Sequence, residues 1–203
     1  MAPWEWTFAS GAQGKPTLAP PYDRTGLRFN LSHSGRCVAC AVTEGRKLGV
    51  DVEAESSRIV VDRLAAYFLS ESERADLAAT PPSTRRARFF GYWTLKEAYL
   101  KSARRRTRLS VKAVTLRWNA AGERIDVSDA HDEQATLRWA FSTFDALPGY
   151  HAALCWRCSE ETHEPAIRWR TLRSSDLARS ARAFIDDERD HGDDRVAMKR
   201  DSA

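Results

Sequence analysis

Three carboxylates and one lysine have the residue types and spacings that could hold a metal ion against phosphate groups. Asp51 and Glu53 lie two residues apart in LGVDVE, and Glu97 and Lys101 lie four apart in WTLKEAYLK. Side chains two apart on a strand share one face, and side chains four apart on a helix do the same. Carboxylate oxygens suit Mg²⁺, which usually keeps several waters and shares substrate phosphates, and a lysine adds positive charge for those phosphates.

Each pair also has a purely structural explanation. Asp51 and Glu53 could be exposed acids on an edge strand, where charge discourages aggregation. Glu97 and Lys101 could form a surface ion pair worth about 0.3–0.5 kcal/mol. The chemical hypothesis therefore depends on the helix packing against the strand, so that the three carboxylates meet.

The sequence predicts the elements that would bring these residues together. The short apolar strands are CVACAV and KLGVDVE, joined by a turn at TEGR, and LRFNLSHSG starts as a strand that turns over residues 32–35. Helices are predicted for RIVVDRLAAYFL, for SESERADLAA with a Ser70–Glu73 capping box, and from about Thr84 through SARRR. An antiparallel set of strands is then predicted at SVKAVTLRW, ERIDVS, ATLRWAFSTF and YHAALCW.

The segment NLSHS adds two polar side chains to the candidate site. On the predicted turn, Ser32 and His33 could donate hydrogen bonds to an anion. A single histidine in a loop is more often structural or simply exposed, so His33 alone is weak support.

Length and composition narrow the class of protein. At 203 residues the chain can form one core, or two small lobes that share one. It has no apolar run near the roughly 20 residues that span a bilayer, and MAPWEWTFAS lacks the features of a signal peptide. A cytoplasmic protein with no membrane partner is therefore expected.

Four cysteines form two C-x-x-C pairs, at 37–40 and 155–158. Zinc sites often use this spacing. Both pairs lie in apolar runs predicted to be strands, however, where positions three apart face opposite sides. We therefore favour buried, reduced cysteines over a zinc site.

Basic residues are concentrated in one segment. Positions 85–108 carry a net charge of +8, whereas the whole chain carries +4. Such a concentration favours an anionic partner: phosphate groups, an acidic protein or nucleic acid. The aromatic residues do not alternate with the arginines as a stacking surface for bases would require, so nucleic acid is not the expected partner.

The motifs GKP, FNLSHSGR, LGVDVE and WTLKEAYLK, in this order, resemble the 4′-phosphopantetheinyl transferase superfamily, in particular its broad-specificity, surfactin-synthetase-activating type. DALPGYHAALCW resembles a late strand of that type, and AIRWRTL could be a final strand. The resemblance implies an α+β fold of two pseudo-symmetric lobes, with antiparallel strands packed against helices. Because only 14 residues precede Lys15, the N-terminal lobe is expected to be truncated.

The resemblance also predicts the division of the chain into domains. Residues 1–45 would form an incomplete N-terminal lobe and residues 46–157 the transferase domain with the metal site. Residues 158–203 would be a charged extension, largely disordered after about residue 173, although SSDLARSARAFIDDE could form a short helix.

The resemblance also implies an activity. Enzymes of this superfamily, including holo-[acyl-carrier-protein] synthases, move the phosphopantetheine arm of coenzyme A onto a serine of a carrier protein and release adenosine 3′,5′-bisphosphate. The carriers, which tend to be acidic, serve fatty acid, polyketide or nonribosomal peptide synthesis. A Mg²⁺-dependent monomer is expected. The alternative is an inactive member that binds carrier protein or nucleic acid through its arginine cluster.

The motif positions assign roles to individual residues. The implied metal ligands are Asp51, Glu53 and Glu97, and Glu97 would also be the base for the carrier serine. Lys101 would neutralise, and could protonate, the leaving phosphate. The implied phosphate-binding residues are Lys15, Ser32, His33 and Lys101, with His33 also counted among the catalytic residues.

Overall fold

A computed structural model describes residues 5–11, 15–56, 59–103, 108–118, 125–158, 166–173 and 175–176. The chain divides into two compact units, residues 7–165 and residues 1–6 with 166–203. In the smaller unit, the Arg173 N–H donates to the Asp176 carboxylate at 2.9 Å. Residues 166–172 contain no strand, so the predicted final strand at AIRWRTL is wrong. The tail from residue 177, with most of the predicted helix at 174–188, lies outside the described residues.

In the larger unit, a run of strands is followed by a run of helices and then by further strands. Its first half contains β1 Phe8–Ser10, β2 Pro16–Leu18, β3 Leu27–Ser34, β4 Cys37–Glu44, β5 Leu48–Ala54, α1 Val61–Phe68, α2 Glu71–Ala79 and α3 Pro82–Ala103. Its second half contains α4 Arg108–Ala113, β6 Val114–Trp118, β7 Ile125–Asp129, α5 Ala135–Arg138, β8 Trp139–Leu147 and β9 Tyr150–Arg157. This is the predicted α+β class.

All strand pairing is antiparallel. β5, β9 and β8 form a three-stranded sheet in that order, and β3–β4, β6–β7 and β1–β2 form two-stranded sheets. In the central sheet Gly49 pairs with Cys155, Asp51 with Ala153, and Glu53 with His151. Since opposed residues share a face, these six residues define one side of the sheet.

α3 lies against this side of the sheet and contributes more residues to the core than any other described element. Ten of its residues are buried, among them the fully buried Phe89, Phe90 and Tyr99. Gly49 lets the helix approach closely, because a Cβ built there would lie 2.1 Å from the Ala98 carbonyl oxygen and 2.7 Å from the Ser102 nitrogen. No larger residue fits at position 49 unless the helix moves away. None of the described helices is long and apolar enough to cross a membrane.

A buried ion pair fixes the other side of α3. The Lys96 ammonium lies 2.7 Å from the Glu73 carboxylate, and both side chains are almost completely buried. Glu73 also closes the predicted capping box of α2 with Ser70 and accepts the Leu116 N–H at 2.8 Å. The same ammonium donates to the carbonyls of Phe68, Val111 and Val114. The pair therefore joins α3 to the end of α1, the start of α2 and the start of β6.

Three local predictions need correction. Residues 110–113 belong to α4, although the pattern predicted a strand from Ser110, and residues 135–138 form α5 where a strand was predicted from Ala135. β3 continues through Ser32 and His33 to Ser34, so these residues are not on a turn. In the first case, the Lys96 ammonium binds two carbonyls around the end of α4, and such tertiary contacts outweigh local periodicity.

The arginine cluster also has an internal role that the charge pattern did not predict. Arg85, Arg86 and Arg88 each bind groups of their own chain. In that order, their partners are the carbonyls of Ala78 and Thr80, the carbonyls of Ser56 and Ile59, and the carboxylate of Asp76. Arg88 also lies 3.8 Å from the ring centroid of Trp118. Residues 104–107, the most basic part of the cluster, lie outside the described residues.

The cysteines differ in exposure. Cys155 is buried, and burial raises the pKa of its thiol far above the ordinary value. Cys37 is half-buried, while Cys40 and Cys158 are exposed. The prediction that the cysteines are all buried is therefore wrong, since exposed β4 positions alternate with half-buried ones.

Replacing Lys96 tests the buried ion pair. We expect Lys96→Met to lower the free energy of unfolding by about 3–5 kcal/mol, because it leaves the Glu73 carboxylate buried without its counter-charge. Lys112→Met, at an exposed position on α4, is the matched control. Adding Glu73→Gln to Lys96→Met should recover part of the loss in urea denaturation. Equal free energies of unfolding for Lys96→Met and Lys112→Met would contradict the stabilising role of the ion pair.

Candidate active site

Three polar side chains of β3 hold the edge of β5. Asn30, Ser32 and Ser34 alternate along β3 and face β5. The Asn30 side-chain oxygen accepts the Val50 N–H at 2.8 Å, and the Ser34 hydroxyl accepts the Ala54 N–H at 3.0 Å. Side chains thus take the place of a backbone ladder between two strands that belong to different sheets. This arrangement fixes the acidic segment of β5 from one side.

Asp51 lies at the centre of this contact and is only 3% exposed. Its Oδ1 atom accepts from the Ser32 hydroxyl at 2.8 Å and from the Lys101 ammonium at 2.6 Å. Its Oδ2 atom is buried and has no hydrogen-bond partner among the described residues. Burial raises the pKa of Asp51 above its ordinary value, although Lys101 and Ser32 oppose the shift.

Glu53 lies next to Asp51 on the same face, as the alternation predicted. Its Oε2 atom accepts the Ser34 hydroxyl at 2.8 Å. The pKa of Glu53 is raised mainly by burial, and the negative charges of Asp51 and Glu97 raise it further. The effect of Glu97 shows that helix α3 brings the third carboxylate within electrostatic range of the strand.

The Lys101 ammonium donates its hydrogen bonds to groups of the site itself. It donates to Asp51, to the Ser32 hydroxyl at 2.9 Å and to the Val50 carbonyl at 3.2 Å. An ammonium has three donors, so all three are engaged. Ser32 has likewise given its one proton to Asp51. Both residues would have to change partners before donating to a phosphate.

The fit of a metal ion can be judged from these contacts. Among the described residues, no three His, Cys, Asp or Glu side chains converge closely enough to hold an ion by themselves. Mg²⁺, however, is often held by one or two carboxylates together with substrate phosphates and waters. Such an ion would give a partner to the Asp51 Oδ2 atom, which has none among the described residues. Its positive charge would also lower the raised pKa values of Asp51 and Glu53. The residues therefore fit a hard divalent cation.

The remaining predicted residues lie further out. Lys15 lines a pocket of about 290 Å³ together with the basic side chains of Arg28, Arg46 and Lys47. Ser102, next to Lys101 on α3, also lines this pocket. His33 is exposed and points away from β5, because Ser32 and Ser34 on either side of it point inward. The structure thus brings Ser32, Asp51, Glu53 and Lys101 together, but not His33.

The sequence interpretation missed Asn30 and Ser34. Both bind β5 directly, and Ser34 contacts a predicted metal ligand. The available signal was the alternation N-x-S-x-S in FNLSHS, which places three polar side chains on one face of a strand. Interpreting residues 32–35 as a turn conceals this period.

The comparison with protein families agrees with this geometry. The model of the 4′-phosphopantetheinyl transferase superfamily matches residues 47–155, which include β5 and α3. The chain belongs to this superfamily. The predicted family is therefore confirmed.

Individual relatives support the same conclusion. The 4′-phosphopantetheinyl transferase HetI of Nostoc sp. strain PCC 7120 is 38% identical over 102 residues, covering 50% of this chain and 43% of HetI. The 4′-phosphopantetheinyl transferase Sfp of Bacillus subtilis strain 168 is 28% identical over 149 residues, covering 73% of this chain and 62% of Sfp. The chain thus spans 43% of the length of HetI and 62% of the length of Sfp.

Solved structures are also similar. The holo-[acyl-carrier-protein] synthase of Thermotoga maritima has a TM-score of 0.45 at 21% identity, covering 55% of this chain and 62% of that chain. The synthase of Bacillus anthracis strain Ames, solved with coenzyme A (3′,5′-ADP), has a TM-score of 0.46 at 19% identity, covering 55% and 94%.

Replacing Glu53 tests the strained electrostatics of the site. Burial and like charge raise the pKa of Glu53, so its contribution to stability is lost as the pH rises through that raised pKa. We expect Glu53→Gln to increase the melting temperature at pH 8 without divalent cations, with the gain shrinking as the pH falls below the raised pKa. The exposed Glu44→Gln is the control. A variant that melts lower than wild type at pH 8 would contradict the assignment.

Proposed function

We propose that this transferase moves the 4′-phosphopantetheine arm of coenzyme A to a serine of an acyl or peptidyl carrier protein, with Mg²⁺ as cofactor. Adenosine 3′,5′-bisphosphate is the second product. The observation that carries the proposal is the buried Asp51 carboxylate. One of its oxygens accepts from Lys101, and the other has no partner within the described part of the chain. Membership of the superfamily gives the reaction class.

Asp51 and Glu53 would hold the metal together with waters and substrate phosphates. Glu97, the third ligand that the resemblance implies, does not converge with them closely enough in this structure and would have to move closer to bind the same ion. Bound there, Mg²⁺ would neutralise charge on the pyrophosphate of coenzyme A, which is the main requirement of a phosphoryl-type transfer. Asp51 offers its unpartnered Oδ2 atom. Glu53 is oriented by Ser34, which leaves the second carboxylate oxygen outside that hydrogen bond.

The basic pocket beside Lys101 would bind the nucleotide. Lys15, Arg28, Arg46 and Lys47 give it a surplus of positive charge over its single acid, Asp23. One of the residues that line this pocket is Ser102, which follows Lys101 on α3. A nucleotide held there would lie close to the turn of α3 that carries Lys101. His33, on the exposed face of β3, would reach only an outer phosphate.

The chain's own residues would handle the protons. The carrier serine is a weak nucleophile until a base takes its proton. Glu97 is the proposed base because it is half-buried on α3 within electrostatic range of Glu53. Lys101 would turn from Ser32 to the leaving phosphate and stabilise its charge, and it can supply a proton there.

The competing proposal, a binding module that uses the arginine cluster, has less support. Arg85, Arg86 and Arg88 bind carbonyls and one carboxylate of their own chain. They therefore serve the fold, and the buried carboxylates of β5 have no part in a nucleic-acid surface. Salt-sensitive binding of RNA without Mg²⁺-dependent binding of coenzyme A would favour the module.

A mass measurement tests the proposed activity. The protein is incubated with coenzyme A, Mg²⁺ and apo carrier proteins of fatty acid, polyketide and peptide synthesis. We expect the carrier to gain the mass of one phosphopantetheine arm. No gain on any of these carriers would contradict the proposal.

The role of Glu97 is tested by Glu97→Gln in the same assay. Losing a general base costs about 10²-fold or more in turnover. The amide keeps the size of the side chain, so the melting temperature should stay near that of wild type. The exposed Glu71→Gln on α2 is the matched control. Turnover by Glu97→Gln equal to that of the control would refute the assignment.

A further inference from the structure

Tyr150 joins the ends of three strands beside Glu53. It is the first residue of β9, where it pairs with Ala54 of β5, and its hydroxyl oxygen accepts the Arg36 N–H at 3.1 Å. We propose that Tyr150 is a positioning residue for the transfer reaction, which holds the Glu53 carboxylate in place through the Ser34 hydroxyl. This inference rests on the metal-binding role proposed above for Glu53.

The Ser34 hydroxyl makes two hydrogen bonds to β5. It donates to Glu53 Oε2 at 2.8 Å and accepts the Ala54 N–H at 3.0 Å. One hydroxyl therefore fixes the Glu53 carboxylate relative to the backbone of its own strand. Groups that orient a ligand in this way tune its affinity for a metal.

The turn that follows Ser34 lies against the Tyr150 hydroxyl. Gly35 has φ +55°, and a Cβ built there would lie 2.8 Å from the Tyr150 hydroxyl oxygen. The turn is thus seated directly on this hydroxyl, which also accepts the N–H of Arg36. Because Ser34 is the last residue of β3, the seating of the turn decides where its hydroxyl lies.

Strand pairing fixes the position of Tyr150. The β5–β9 ladder places it opposite Ala54 and places His151 opposite Glu53. Just before it, the Gly149 carbonyl accepts the Glu55 N–H at 2.7 Å. Tyr150 therefore fixes the position of the turn after Ser34 relative to β5, the strand that carries Glu53. Without the Tyr150 hydroxyl the turn loses this contact, and Ser34 can move away from the Glu53 carboxylate.

A merely structural role would have a different signature. In that case Tyr150→Phe would change the melting temperature and leave the affinity for a divalent cation unaltered. In the positioning role, the affinity falls and the loss requires Ser34. A double-mutant cycle separates these cases.

The experiment is a Mn²⁺ titration followed by electron paramagnetic resonance of free Mn²⁺, with coenzyme A present. Mn²⁺ uses the same oxygen ligands as Mg²⁺. Wild type, Tyr150→Phe, Ser34→Ala and the double variant are compared, with Glu53→Gln as the reference for loss of the ligand. Tyr67→Phe, in which the exposed ring lies on α1 against Phe68, is the control. Circular dichroism establishes that each variant is folded.

We expect Ser34→Ala to weaken Mn²⁺ binding about tenfold. Tyr150→Phe should weaken it roughly threefold, which is within the range of one hydrogen bond. The double variant should bind as Ser34→Ala does, and Tyr67→Phe as wild type does.

Two results would overturn the inference and leave the proposed function intact. The first is wild-type Mn²⁺ affinity in Tyr150→Phe while Glu53→Gln binds weakly. The second is a double variant in which the two losses multiply, because Tyr150 would then act independently of Ser34. If Glu53→Gln binds Mn²⁺ as wild type does, the metal-binding role of Glu53 fails, and the inference fails with it.

Discussion

The burial of the Asp51 carboxylate is the constraint on which the site depends. A buried charge is costly unless it is paired and hydrogen-bonded. Ser32 from β3 and Lys101 from α3 satisfy the same oxygen, so two elements must dock on β5 to make this burial tolerable. The second oxygen remains without a partner among the described residues. The fold thus holds a desolvated acid in a state that favours a cation, and activity would make use of this local instability.

The surrounding architecture serves this docking. Gly49 allows α3 to lie directly on β5, because its missing Cβ leaves room for the helix backbone at Ala98. The Lys96–Glu73 pair holds the other side of the same helix. Lys96 and Glu97 are neighbours in sequence, so anchoring the first also limits movement of the second. Stability and the placement of the proposed base are therefore linked along one turn of helix.

Much of this organisation could be predicted from the sequence, and the errors have physical causes. The alternation in LGVDVE gave the shared face of Asp51 and Glu53 correctly, since strand periodicity is a local property. The engagement of Lys101 by Asp51 depends on tertiary packing and could not be predicted from the spacing of Glu97 and Lys101. The interpretation of residues 32–35 as a turn conceals the position of Ser34 on the inner face of β3.

We propose that the carboxylates of β5 bind a divalent cation together with the pyrophosphate of coenzyme A. Isothermal titration of coenzyme A into the protein, with Mg²⁺ and with EDTA, tests it most directly. We predict binding at least about tenfold tighter in Mg²⁺, and loss of this difference in Asp51→Asn. Equal affinity of the wild-type protein for coenzyme A in Mg²⁺ and in EDTA would contradict the claim.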